Sequence, residues 1–207
     1  MRTSLPFALV FTLVWTIVLP ADEAVYKNPT LGITVTKPET WHFATAAEVA
    51  ENLERIRLSD EDFETLLKTH ATVPIVALTK YKEPFDDLNP SVKVNIKPLQ
   101  DFSAAEPVRI LQTVSGSLSK MFSDLKFVTK PKTTELAGLK AAYMCVDYNL
   151  TIPDGRTFPT RSELWIVPRG KFFFMIGIGT RQDEKTGTRK EVHEIVESIE
   201  IDPEPGT

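Results

Sequence analysis

The sequence predicts an α+β domain with a central, mainly antiparallel sheet sandwiched by helices. Three observations carry that prediction. The stretch RSELWIVPRGKFFFMIGIGT, residues 161–180, holds two runs, 164–167 and 172–178, that are apolar on successive residues. Such runs suit strands covered on both faces. Two further extended segments, 127–136 and 140–152, precede them with turn residues between, so the strands read as an antiparallel meander. The helical patterns lie outside that meander, before and after it.

From the N-terminus, residues 1–21 read as a secretory signal peptide. Arg2 supplies the positive start, residues 5–19 are apolar, and Pro20-Ala21-Asp22-Glu23 breaks the run, with cleavage expected after Ala21. The run is too short for a comfortable membrane span. The remainder, residues 22–207, is the size of one domain, and its end, with Pro203, Pro205 and Gly206, reads as a disordered tail. A short strand, the turn Asn28-Pro29-Thr30-Leu31-Gly32 and a second strand bearing Ile33 and Val35 open the domain. Trp41, in a turn just after a strand, is expected to plug one end of the core.

Two helices should follow. Thr45-Ala46-Ala47-Glu48 has the form of a capping box, with Ala46, Val49, Ala50 and Leu53 as its stripe. The second starts at Ser59-Asp60-Glu61-Asp62 and carries Phe63, Leu66, Leu67 and His70 on one face. Residues 73–82 and 92–97 read as strands. A third helix begins near Pro107, where the missing proline donor costs nothing, and its stripe of Leu111, Val114, Leu118, Met121, Phe122 and Leu125 reaches about 125. Pro131 marks 127–136 as an edge or bulged strand. Ala137-Gly138-Leu139, Asp154-Gly155 and Pro168-Arg169-Gly170-Lys171 are the expected reversals. Thr188-Arg189-Lys190-Glu191 reads as another capping box, opening a closing helix with Val192, Ile195, Val196 and Ile199 inward.

This order resembles the PsbP-like and DcrB-like group of small extracytoplasmic domains. The resemblance rests on Leu31-Gly32-Ile33-Thr34-Val35 followed by Pro38-Glu39-Thr40-Trp41, on Leu136-Ala137-Gly138-Leu139 before the strand of Tyr143, on the aromatic hairpin, and on Glu194-Ile195-Val196-Glu197-Ser198-Ile199. It implies the fold, and an accessory or binding role without known catalysis. No family site residue transfers with it.

The residues themselves point the same way. A net charge of −4 argues against a nucleic-acid partner. His42, His70 and His193 share no metal-ligand spacing, and a lone cysteine, Cys145, sits in an apolar run where a buried, inert thiol is expected. No nucleophile elbow or phosphate loop is present. No catalytic residue, metal ligand or cofactor is therefore assigned. Two polar sets remain. Tyr143, Asp147, Arg161 and Glu163 either converge in a pocket over Trp165 or form a cross-strand salt bridge with Arg161 between two acids; the salt bridge is the preferred reading. Lys80, Lys82, Lys93 and Lys97 either present an anion-binding surface or guard a solvated strand edge; the guarded edge is preferred. Trp165 and residues 172–174 are expected in the core.

The function these readings predict is a secreted or periplasmic, non-enzymatic accessory or binding protein with a protein partner at the cell envelope. Membrane contact is expected only through an uncleaved N-terminal segment. The alternatives are a small-molecule carrier with a pocket between sheet and helix, and a hydrolase, which would need a serine or aspartate at hydrogen-bond distance from a histidine.

Overall fold

A computed structural model describes residues 24–45, 47–49, 74–99, 106–152 and 154–202. The expected signal peptide, the second helix with His70 and the C-terminal tail lie outside the described residues. The chain builds strands β1 (Val25–Asn28), β2 (Ile33–Thr36), β3 (His42–Phe43), β4 (Val76–Thr79) and β5 (Ser91–Pro98), then helix α1 (Pro107–Met121). Strands β6 (Lys126–Leu136), β7 (Leu139–Thr151), β8 (Thr157–Arg169) and β9 (Phe172–Arg181) follow, then helix α2 (Arg189–Glu197) and strand β10 (Glu200–Ile201).

Seven strands form one antiparallel sheet in the order β3-β4-β5-β9-β8-β7-β6. The aromatic hairpin β8-β9 is therefore interior, which is why both its faces are apolar. Alternate residues of β9 serve two cores. Phe174, Ile176 and Ile178 join Val76, Leu78, Val92 and Val94 under α2, together with Val192, Ile195 and Val196 of that helix. Phe173 faces the other way and packs with Ala142, Met144 and Ile166 against Ile110 and Leu111 of α1. The sheet is thus covered by a helix on each face, as predicted. A smaller sheet, β1-β2-β10, closes the α2 side. Ser198, at the end of α2, ties it down: its hydroxyl accepts from the Thr36 amide at 3.1 Å and donates to the Thr36 carbonyl at 2.8 Å.

Local signals account for most boundaries. The β6-β7 reversal is a two-residue turn with Ala137 at φ 51° and Gly138 at φ 72°, the left-handed pair that matches strand twist. Register shifts around Thr129 and Lys132 accommodate Pro131 on the edge strand β6. The Thr45 capping box is formed: the Glu48 carboxylate accepts from the Thr45 amide at 2.7 Å, and the Thr45 hydroxyl accepts from the Glu48 amide at 3.2 Å.

Four expectations are corrected. The hairpin turns on Gly170 and Lys171 alone, because Gly170 at φ 56° supplies the reversal, so Pro168 and Arg169 remain in β8 opposite Phe173 and Phe172. Helix α1 stops at Met121; Phe122 is extended and stacks on Tyr148 at 4.0 Å, while Ile110 and Ser115 take buried places on the stripe. The second capping box, at Thr188, is not formed. Thr188 is left-handed, with φ 49°, so its hydroxyl donates to the Thr186 carbonyl instead of accepting from the helix. A cap needs an extended residue to aim its oxygen at the first-turn amides. Glu191 is spent elsewhere, on Trp41 and Lys80. Finally, β3 and β10 add two strands to the predicted order; at two residues each they are too short for alternation to show.

Candidate functional site

Antiparallel register places Tyr143, Cys145 and Asp147 of β7 directly across from Trp165, Glu163 and Arg161 of β8. All six therefore share one face of the sheet, the face that α2 covers. The four residues singled out from the sequence lie together there, but they divide into two pairs. Arg161 grips Asp147 alone, through Nε at 2.7 Å and Nη2 at 2.8 Å. Glu163 turns away from Arg161. Its Oε2 accepts from the Tyr143 hydroxyl at 2.6 Å, and its Oε1 lies 2.9 Å from His193 Nε2 on α2. The arginine is thus not shared between two acids; a bidentate fork satisfies it on Asp147.

The Tyr143-Glu163-His193 chain floors a pocket of about 350 Å³ between the β6-β7-β8 sheet and α2. Trp165 is half-buried and forms one wall, with the Tyr143 ring 4.8 Å away and tilted by 43°. The expectation that Trp165 belongs to the sealed core is corrected: it borders that core on one side and the pocket on the other. Lys132 of β6 lays its ammonium over the Tyr143 ring, 5.7 Å from the centroid. Asp147 and Arg161 do not line the pocket; Tyr143 and Glu163 do.

Burial and bonding set the charges. Glu163 is only 3% exposed. Burial pushes its pKa up, but the hydrogen bonds from His193 and Tyr143 outweigh that, and it lies below the ordinary carboxylate value. The bond to Glu163 holds His193 above the ordinary imidazole value against partial burial. Burial, and then the bond to Glu163, push the Tyr143 hydroxyl far up, so it stays a donor.

This pair gives stability a definite pH dependence. His193, raised above its ordinary 6.5, contributes fully below that pH and loses its contribution as pH rises through its folded value. Glu163, lowered from its ordinary 4.5, contributes fully above that pH and loses it as pH falls through its folded value. The His193→Ala variant should therefore fall furthest below the parent between 4.5 and 6.5, and the gap should narrow on both sides. The expected deficit is about 1–2 kcal/mol, reduced from that of a sealed charged bond by the exposure of His193. Urea unfolding across pH measures it; a gap independent of pH would contradict the pairing.

The lysines do not form one surface. Lys80 reaches across to Glu191 of α2. Lys93 and Lys97 occupy the alternate positions of β5, on the sheet face opposite Val92 and Val94, and β5 is an interior strand. Lys82 is exposed beyond the end of β4. The guarded-edge reading is corrected on the same ground: only an outer strand has an edge to guard.

No family model matches the chain, and no curated protein sequence does. Solved structures do. LpqN of Mycobacterium tuberculosis, a protein involved in cell envelope biogenesis, superposes with a TM-score of 0.51 over 83% of each chain at 15% identity. CyanoP of Synechocystis, a cyanobacterial PsbP, covers 90% of this chain and 96% of its own at a TM-score of 0.47 and 13% identity. The Ran-binding protein Mog1p of Saccharomyces cerevisiae covers 82% and 90% at a TM-score of 0.45 and 13% identity. The fold is PsbP-like. At such identities the likeness is one of fold alone.

Within this PsbP-like fold, sequence reading found the two sheet residues of the pocket and missed His193, Lys132 and the exposure of Trp165. One signal was available for His193. It follows Val192 directly and precedes Val196 by three, so it borders the apolar stripe of α2 and must sit at the sheet margin. Nothing in the sequence says which sheet residue it meets there. Among the described residues, no group of three or more His, Cys, Asp or Glu is placed to hold a metal ion.

Cys145 lies beside Glu163 on the same face and is 3% exposed. Burial, and then the nearby Glu163 carboxylate, push its thiol up to about 11. It should react with an aromatic disulfide reagent only as fast as the fold opens, and fully in urea. Rapid labelling of the native protein, followed by absorbance, would contradict the burial.

Proposed function

We propose that this chain is a non-enzymatic binding protein that works outside the cytoplasm, at the cell envelope, and takes its ligand in the pocket beside α2. The observation that carries the reading is Glu163: both of its oxygens are held by the chain's own donors, at 2.6 and 2.9 Å, inside a pocket walled by Trp165 and Tyr143. An aromatic pocket whose acid is already committed is built to hold a molecule, since a general acid or base needs a proton position open to substrate. His193 meets a glutamate, and the Tyr143 proton goes to that same glutamate, so the pair presents no activated nucleophile. The apolar run at residues 5–19, read as a leader, and the shared fold with LpqN, itself involved in cell envelope biogenesis, support the envelope setting.

Thermal-shift screening against neutral, cationic and anionic metabolites and headgroups tests the ligand. The expected result is a rise in Tm for one class, lost in Trp165→Ala. A flat response in both proteins, or turnover of a compound by the parent, would overturn the reading. Cell fractionation tests the setting: the protein should leave the cytoplasm, and a leader-deleted form should remain there. The protein partner expected at the envelope is sought by cross-linking in intact cells. There Trp165→Ala should leave partner capture unchanged if the partner docks away from the pocket.

A further inference from the structure

Building on the pocket's role as the ligand site, we infer that it takes an organic cation, an amine or quaternary ammonium on a small apolar body, in competition with the proton on His193. Four features of the geometry converge on this class. The floor is a carboxylate, Glu163, sealed from solvent and 3% exposed. Its one ionic partner across the pocket floor is His193, whose own side chain is 43% exposed. A buried carboxylate needs a positive charge beside it, and an imidazole supplies one only while it is protonated. The walls are the faces and edges of Tyr143 and Trp165, which attract cations through their ring quadrupoles.

The chain already demonstrates the preference. Lys132 stands on the edge strand with an exposed side chain free to extend into water. Instead its ammonium lies over the Tyr143 ring, 5.7 Å from the centroid and at the pocket wall. Lys132 is thus an internal stand-in for the ligand's charge. At the rim, Glu197 of α2 adds a second carboxylate one helical turn from His193.

The other charged groups do not reverse this. Glu135 of β6 also lines the pocket, but Lys140 of β7 lies directly opposite it in the register, so that pair is close to neutral. Arg189 opens α2 one turn before His193; its charge favours ionised Glu163 and neutral His193, but its guanidinium is held on the Gln182 carbonyl at 2.6 Å, outside the pocket lining. Cys145 and Tyr143 flank Glu163 from β7 as neutral groups. With His193 protonated, the floor is a satisfied ion pair. With His193 neutral, Glu163 loses its nearest positive charge and keeps the more distant Arg189, and a cation entering over Trp165 restores the balance. Ligand binding and His193 protonation therefore oppose each other, and affinity for a cation rises with pH across the His193 titration.

Choline is a suitable probe, because neohexyl alcohol has the same shape with carbon in place of the charged nitrogen, and tert-butylacetate supplies the anion. Each is titrated into the purified protein, with affinity read by calorimetry and the site by the ring resonances of His193 and the indole of Trp165. Choline should shift both resonances and bind about tenfold more tightly than the alcohol. Its affinity should increase severalfold as pH rises from below 6.5 through the folded-state titration of His193. Lys132→Met, which removes the internal competitor and keeps the side-chain length, should tighten choline binding. Glu197→Gln, at the exposed rim, should weaken it.

Binding of the alcohol or the anion at least as tightly as choline, at the same resonances, overturns the charge class and leaves the binding role standing. A choline affinity that falls with pH, or that Lys132→Met weakens, overturns the competition with the internal cations. Should none of the three probes move the His193 or Trp165 resonances, the cation site is overturned, while the binding role is decided by its own Tm screen.

Discussion

Trp41→Ala is expected to destabilise the protein by about 3–5 kcal/mol. Trp41 has no exposed surface and packs within the larger core, under α2. Its indole N–H donates to Glu191 Oε2 at 2.7 Å, and the same oxygen takes the Lys80 ammonium. Burial pushes the Glu191 pKa up, but the bonds from Lys80 and Trp41 outweigh it and hold the carboxyl below its ordinary value. Alanine would leave a cavity the size of an indole at the place where the turn after β2, the end of β4 and the start of α2 meet. Trp41→Phe keeps most of the volume and loses only the donor, so its cost should be about 1–2 kcal/mol. Urea unfolding of the two variants measures both terms. An alanine variant within about 1 kcal/mol of the parent would contradict the role of Trp41 as the plug of this core.

Gly32→Ala should be the next most costly single change, at about 2–3 kcal/mol. Gly32 holds φ +61°, a conformation that costs a residue with a side chain roughly 1–2 kcal/mol. The rest comes from Arg169. A Cβ on Gly32 would lie 2.5 Å from Arg169 Nη1 and 2.7 Å from Nη2. That guanidinium cannot withdraw freely, because it donates to the Leu31 carbonyl in the same turn. The Gly32 carbonyl, in turn, accepts from the Asp202 amide at 2.9 Å, so the turn also anchors the end of β10. Combining Gly32→Ala with Arg169→Gln separates the two contributions. The double variant should lose little more than Arg169→Gln plus the backbone part, and strict additivity of the two single changes would contradict the close approach.

Both positions belong to segments that sequence reading had marked, Leu31-Gly32-Ile33-Thr34-Val35 and Pro38-Glu39-Thr40-Trp41. Their turn and core-plug roles were legible because glycine, proline and tryptophan carry strong local constraints. The partners that make them costly to change, Arg169 and Glu191, were not. Arg169 lies 138 residues from Leu31 along the chain, and Glu191 lies 150 from Trp41. The second capping box shows the same limit from the other side. Thr188 and Glu191 have the right spacing for a local pair, yet a charged donor and an indole N–H from distant segments outbid one exposed amide.

The sequence by itself determined the α+β class, the meander with its edge strand at Pro131, the places where the chain reverses, and the two apolar faces of the hairpin. These depend on residue spacing of two or 3.6 and on backbone preferences, which act between near neighbours. That Tyr143, Asp147, Arg161 and Glu163 share a sheet face was not legible: a two-residue turn at Asp154-Gly155 would have put Tyr143 and Asp147 on one face and Arg161 and Glu163 on the other, whereas Thr151 pairs with Thr157. Only the tertiary structure decided how those four divide. The bidentate fit of Arg161 on Asp147 released Glu163, and the docking of α2 brought His193 to it from 30 residues away. Side-chain pairing across a covered sheet is set by which helix lands on it, and no local pattern encodes that landing. The hairpin's Trp165 became a pocket wall for the same reason: α2 covers the strands on one side of it and leaves the side toward β6 open.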